Sequence, residues 1–274
     1  MATVESNFTS PDILANHALG NNPPTANLHI STHGSDWLWF VFSFMLFVDL
    51  AAIAFTILTY ALQRPKNLVL HQLAIIILTT SSIAYFSMAS DLGSTPIRVE
   101  FDRSHTGVLS RNIWYVRYIQ WFINFPLALL ALLIGTGFPL INSFITIFMA
   151  DAAVVSLLVG SLVASTYKWG YYVMGCASLF YVYGHLLFST ARQTYPSPTG
   201  RSRGAFILSA LLLAFVWSLF PLVWAFADGG NVISPTGEVV WYGLVDLLAW
   251  PVFSAFILYT HKDFELDAPS ETKA

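Results

Sequence analysis

The sequence predicts an all-α membrane protein, a single bundle of seven transmembrane helices. Three observations carry that expectation. The 274 residues are 56% hydrophobic and only 10% charged, with a mean hydropathy of +0.64, whereas soluble domains carry about 25% charged residues. The hydrophobic residues gather in seven runs, each close to the roughly 20 residues that cross a hydrocarbon core. The charges fall mostly between the runs, and the net charge of -3 marks no basic surface for nucleic acid.

In chain order, residues 1–36 are rich in Asn, Ser, Thr and Pro and lack the basic start and apolar centre of a signal peptide. They read as a disordered, solvated extracellular tail, in which Asn7-Phe8-Thr9 is a glycosylation acceptor if it lies outside the cell. The seven-helix domain then covers 37–262, with runs at about 37–61, 69–90, 112–134, 139–164, 170–191, 204–226 and 240–260. The second run mixes hydroxyls into HQLAIIILTTSSIAYFSM, which a bundle accommodates because Ser and Thr bond to carbonyls or across helices. The connection 91–111 is long enough for structure of its own. In it Ile97, Val99 and Phe101 alternate with Arg98, Glu100 and Asp102, the period of a short strand, which predicts a hairpin over the external mouth with its charges solvated. Residues 263–274, with Asp263, Glu265, Asp267 and Glu271, read as an acidic, disordered cytoplasmic tail. Arg64, Lys66, Arg192, Arg201, Arg203 and Lys262 fall on one side of the seven runs. By the positive-inside rule that side is cytoplasmic and the N-terminus is outside.

Within the runs, ionisable residues stand out. Asp246 lies inside WYGLVDLLAWPVFSAFILYT, where an ionised side chain costs roughly 2.5 to 3.5 kcal/mol and therefore calls for a partner. Arg117, in WYVRYIQWFINFPLAL, is the natural one, with Tyr85 and Gln120 adding hydrogen bonds. Asp49 and Asp151 are two further intramembrane acids and read as neutral, hydrogen-bonded groups. Glu238 and Asp228 read as surface charge at a helix end. The single Cys176 forms no intramolecular disulfide. No Gly-rich phosphate loop, spaced His or Cys metal set or GxSxG turn is present, so neither an enzyme nor a metal site is expected.

These residues carry a resemblance. RYIQWFINFPL from Arg117 resembles the third helix of microbial rhodopsins, YKWGYYVMGCASLFY from Tyr167 the fifth, and WSLFPLVWAFADG from Trp217 the sixth. Asp246 stands where the seventh helix of that family has its aspartate. The likeness spans nearly all of 37–262, and it makes the departures informative. The family's retinal-bearing lysine, four residues after that aspartate, corresponds here to Trp250, its proton acceptor to Gln120 and its cytoplasmic proton donor to Ala131. An amide does not exchange a proton at neutral pH, and Lys66, Lys168, Lys262 and Lys273 lie in loops, at helix ends or in the tail.

The chain is thus similar to the fungal opsin-related group that includes plasma-membrane heat-shock and stress proteins. The resemblance implies no covalent retinal, no cofactor and no light-driven pumping. It makes Trp121, Tyr172, Trp217, Phe220, Trp224 and Trp250 a vestigial retinal pocket, mostly filled, with a small cavity at Gly175 and Ala128. Two functional classes follow. One is a stress-related interaction or regulatory protein of the plasma membrane, for which the resemblance suggests the plasma-membrane proton ATPase as partner, with self-association also open. The other is a light-independent ion or proton channel or transporter using Asp49, Asp151 and an Arg117–Asp246 pair. Non-covalent binding of retinal or a sterol is a third.

Overall fold

The computed structural model describes residues 16–62, 68–101, 109–134, 140–191 and 203–260, and it has the seven-helix bundle. The helices are α1 (Thr32–Ala61), α2 (Leu68–Ala89), α3 (Tyr115–Leu133), α4 (Leu140–Leu162), α5 (Lys168–Thr190), α6 (Gly204–Gly229) and α7 (Pro235–Thr260). Each is long and apolar enough to cross a membrane. A helix satisfies every backbone N–H and C=O within its own segment, which a hydrocarbon medium requires. Exposed Tyr60 and Tyr259 ring one end of the bundle, and exposed Tyr167 and Trp241 lie toward the other, where amphipathic rings sit at membrane–water interfaces.

Two helices begin earlier than their apolar runs, because caps rather than hydropathy set their starts. Ser31 Oγ accepts from Gly34 N at 3.3 Å at the head of α1, and Ser234 Oγ accepts from Gly237 N at 3.1 Å at the head of α7, with Pro235 as the first helical residue. Prolines interrupt α3, α6 and α7 at Pro126, Pro221 and Pro251. In α6 and α7 the ladder widens into π turns at Ala225–Gly229 and Leu248–Val252, the usual adjustment around freed backbone groups.

The hairpin is present: β1 (Thr95–Arg98) pairs antiparallel with β2 (Ser110–Ile113), Thr95 opposite Ile113 and Arg98 opposite Ser110. Its second strand takes residues that the hydropathy reading gave to the third helix, so α3 begins at Tyr115. Two expectations change here. Arg111 on β2 is not solvated but 1% exposed. The tail, expected to be disordered through residue 36, is ordered from residue 16: Leu28 N donates to Ser110 O at 2.8 Å, Asn112 N donates to Leu28 O at 3.0 Å, and Asn22 Nδ2 donates to Ser90 O at 2.8 Å. Ile30 is wholly buried. Polar composition suggested solvation, but these polar groups serve as hydrogen-bonding partners for an otherwise open strand edge. Residues 1–15, with Asn7, and the acidic tail 263–274 lie outside the described residues.

Asp91 follows α2 with φ of 57°, buried and with neither carboxyl oxygen hydrogen-bonded to any of the described residues. Burial pushes its carboxyl above the ordinary range, and the charge of His29 pulls it partly back. The native state therefore holds the proton more tightly than the unfolded state. The stability this contributes is complete below the unfolded value of about 3.9 and is lost as pH rises through the native one. Asp91→Asn, which tolerates the same left-handed backbone, is expected to raise the melting midpoint at pH 7 and to match the unmodified protein at pH 3.5. Equal midpoints at both pH values would show that the carboxyl is already solvated.

Candidate functional site

Asp246 is fully buried in the middle of α7, and its carboxylate takes three hydrogen bonds from side chains. Tyr85 Oη donates to Oδ2 at 2.7 Å, Trp250 Nε1 to Oδ1 at 2.7 Å and Trp121 Nε1 to Oδ1 at 3.1 Å. Tyr85 thus plays the part expected of it. Trp250 does more than fill space: one turn along the same helix face, its indole is a donor to the acid. The ring is wholly buried, with Phe125 at 5.8 Å and Phe220 at 6.2 Å between centroids.

The expected Arg117–Asp246 pair does not form. Arg117 Nη1 donates instead to Glu238 Oε1 at 2.6 Å, and its guanidinium lies 4.2 Å from the centroid of the Tyr242 ring, a cation–π contact. Glu238 Oε2 takes a second arginine, from Arg111 Nη2 at 2.7 Å and Nε at 3.2 Å. Glu238, expected as surface charge, is wholly buried. The reason is desolvation: a charge removed from water needs a geometry that satisfies it fully, and Glu238 reaches Arg117 while the three donors of Asp246 already occupy that carboxylate. Gln120, expected to bond Asp246, instead gives Nε2 to Ser81 Oγ at 3.2 Å, and Asn124 Nδ2 joins the same hydroxyl at 2.9 Å.

Asp228 is likewise buried rather than on the surface. Its Oδ2 accepts from Tyr118 Oη at 2.5 Å and Ser161 Oγ at 2.7 Å, and its backbone oxygen accepts from Lys168 Nζ at 3.2 Å. The hairpin end of the bundle therefore holds a buried ionic cluster of Arg111, Arg117 and Glu238, with Asp228 held beside it by hydroxyls and Lys168 on its backbone oxygen. Glu238, Tyr242 and Asp246 recur every four residues and share one face of α7. That spacing was the sequence signal for a buried Glu238, and Arg111 in a loop carried none.

The six aromatics of the expected pocket divide in two. Trp121 meets Phe220 at 4.6 Å, and Trp217 stacks on Phe125 at 3.9 Å, beside Trp250. Tyr172 stacks on Trp224 at 5.1 Å, with Trp224 Nε1 bonded to Ser161 Oγ at 2.6 Å. The expected cavity is smaller still. A methyl on Gly175 would meet Ala153 O and Leu157 Cγ at 3.3 Å, so no space exists there. Ala128 lines a cavity of about 10 Å³ with Ile77, Ala131 and Ser254, room for about one water.

A covalently held retinal needs an amine on α7 and an open slot beside it. Residues 235–260 contain no lysine, and Trp250 occupies the position one turn past Asp246. Lys168, the one lysine among the described residues, lies at the head of α5 against Asp228. These residues do not fit a retinal imine. Of the remaining acids, Asp49 on α1 accepts from Thr79 Oγ1 of α2 at 2.8 Å, as expected. Asp151 on α4 has a buried Oδ1 with no hydrogen-bond partner among the described residues.

Comparison with known proteins places this architecture. The bacteriorhodopsin-like protein family matches residues 33–264. The chain belongs to that family. Among curated relatives it is 49% identical to the protein FDD123 of Trametes versicolor over 247 residues, 90% of this chain and 84% of the relative. It is 39% identical to the opsin-like protein carO of Fusarium fujikuroi, over 91% and 82% of the two chains, and 35% identical to the 30 kDa heat shock protein of Saccharomyces cerevisiae, over 89% and 77%. Among solved structures, the light-driven proton pump rhodopsin of Coccomyxa subellipsoidea superposes with a TM-score of 0.77 at 30% identity, over 85% of this chain and 99% of that one. The light-driven proton pump from Leptosphaeria maculans gives 0.76 at 28% identity, over 86% and 97%. Family membership fixes a rhodopsin-like integral membrane protein.

Proposed function

We propose that the protein is a retinal-free opsin of the plasma membrane, with its N-terminus outside and its C-terminus cytoplasmic, that acts by contact with other membrane proteins and not by moving ions in light. The observation that carries this is the Trp250 indole, hydrogen-bonded to Asp246 at 2.7 Å and fully buried against Phe125 and Phe220. A proton pump needs a chromophore, a titratable acceptor and a reprotonating donor. Here the corresponding groups are an indole, the Gln120 amide and the Ala131 methyl. A stress-related regulatory role is supported by the 35% identity to a heat shock protein, and the plasma-membrane proton ATPase is the partner this reading names.

Light-independent transport has less support. The polar side chains on the inner face of α3 run Arg117, Gln120, Asn124 and give way to the buried apolar Ala128, Leu129, Ala131 and Leu132. Asp49 belongs to the α1–α2 contact and does not continue that row.

The test is reconstitution with all-trans retinal. Purified protein is expected to show no visible band that survives denaturation as a covalent adduct, and vesicles containing it to leak protons no faster than protein-free vesicles in light or dark. A protonated Schiff-base band, or a flux abolished by Asp246→Asn, overturns the reading.

A further inference from the structure

We propose that the hairpin end of the bundle carries a headgroup site for a zwitterionic phospholipid, in which Asp36 and Trp39 of α1 hold the ammonium group of the lipid. This rests on the bundle lying in a bilayer and is independent of the retinal-free reading.

The ordered stretch before α1 does more than cover the edge of the hairpin. Together with the first turns of α1 and the end of α2 it encloses a cavity of about 780 Å³, lined among others by Asn21, Asn22, Thr32, Asp36, Trp39 and Ser90, a volume that suits a small molecule or a headgroup. Side chains tie its walls together. Asn16 Nδ2 donates to Asp36 Oδ1 and to Ser35 Oγ, each at 2.8 Å, and Asn22 Nδ2 donates to Ser90 O at 2.8 Å.

Asp36 is exposed, and Asn16 occupies only one of its carboxyl oxygens. It is the one acid in the lining, which contains no Lys or Arg, and no cation pairs with it among the described residues. Trp39 stands three residues on, on the same face of α1, half-buried and packed edge-on against Phe42 and Phe86 at 5.6 and 5.5 Å between centroids. A carboxylate beside an indole suits an ammonium that carries carbon substituents: the ring attracts the positive charge and covers its carbons, and the acid supplies the opposite charge.

Depth selects the source of that ammonium. Trp37 Nε1 donates to Val239 O at 3.1 Å, which sets this turn of α1 beside the exposed Trp241 of α7. The 30 residues of α1 measure about 45 Å at 1.5 Å per residue, against a hydrocarbon core of about 30 Å, and tryptophans at a bundle end mark the headgroup layer. A zwitterionic phospholipid brings a phosphate next to its ammonium, and the Asn21 and Asn22 amides and the Thr32 hydroxyl are donors for it. A headgroup without the ammonium would set its negative charge against Asp36, and an alkyl chain would leave the polar lining without partners.

The experiment offers the full chain, delipidated in maltoside detergent, phosphatidylcholine and phosphatidylglycerol with identical acyl chains, and counts bound lipid by native mass spectrometry. Phosphatidylcholine is expected to be retained in preference to phosphatidylglycerol. Asp36→Asn, which keeps an acceptor for Asn16, and Trp39→Leu are each expected to weaken retention about fivefold, the effect of an exposed ion pair or cation–π contact, and Asp36→Asn should leave the melting midpoint in lipid-free detergent unchanged. Asp36→Lys should reverse the preference toward phosphatidylglycerol, an outcome that a folding defect does not produce. Equal retention of the two lipids by the unmodified protein overturns the proposal, and so does a preference that survives Asp36→Asn and Trp39→Leu together. Soluble phosphocholine that displaces the lipid at equal concentration would show a site for soluble amines and overturn the lipid assignment.

Discussion

Glu238→Gln is expected to be among the most destabilising single substitutions in this protein, with a loss of about 3 to 5 kcal/mol, the cost of breaking a buried ion pair from one side. The physical basis is that one carboxylate serves two guanidiniums, Arg111 at 2.7 Å and Arg117 at 2.6 Å, all three side chains being 0 to 1% exposed. Removing the charge leaves two cations in a water-poor interior. Arg117 is the worse placed, because its Nε and Nη2 have no hydrogen-bond partner among the described residues and the Tyr242 ring offers only cation–π attraction. Thermal unfolding in one detergent across a double-mutant cycle tests the assignment. The coupling between Arg117→Gln and Glu238→Gln should exceed that between Arg117→Gln and Asp246→Asn. The double mutant with Glu238 should recover only part of the loss, since Arg111 remains charged. The reverse order of couplings would restore the Arg117–Asp246 pair and displace the network described above.

That network marks the limit of what the sequence made legible. Hydropathy depends on composition averaged over a window, so seven spans could be read with boundaries within a few residues, and the strand period in 97–102 predicted the hairpin, whose first strand is Thr95–Arg98. Individual partners are a different matter. Arg117 lay within plausible reach of two acids on one helix face, Glu238 and Asp246, and choosing between them requires knowing that Trp121 and Trp250 turn their indole N–H groups onto Asp246. Tryptophans read as apolar filling conceal a donor. The same blindness applied to the stretch 16–31. Its Asn and Ser residues look like solvated tail until the chain closes and Leu28 lies beside Ser110 and Asn112, a contact more than eighty residues apart in sequence.

Trp250→Ala is expected to cost about 3 to 5 kcal/mol, the range for deleting a large aromatic from a close-packed core. Two effects add at this position. The ring is wholly buried and packs against Phe125 and Phe220, so its removal opens a void walled by two rings already in contact with each other at 5.5 Å between centroids. The substitution also removes one of the three donors to Asp246, and hydrogen bonds to charged groups are worth about 1.5 to 3 kcal/mol. Trp250→Phe separates the two, because it keeps most of the volume and loses only Nε1. Its cost should fall near that hydrogen-bond value, clearly below that of the alanine variant. The void would lie beside Asp246, with Tyr85 and Trp121 still donating, and a polar wall of this kind admits water where an apolar one stays dry. Vesicles bearing Trp250→Ala are therefore the place to look for a proton leak that the unmodified protein lacks. If Trp250→Ala melts where the unmodified protein does, the indole is not packed as described, and the tryptophan loses its role as the plug that closes the core of the bundle.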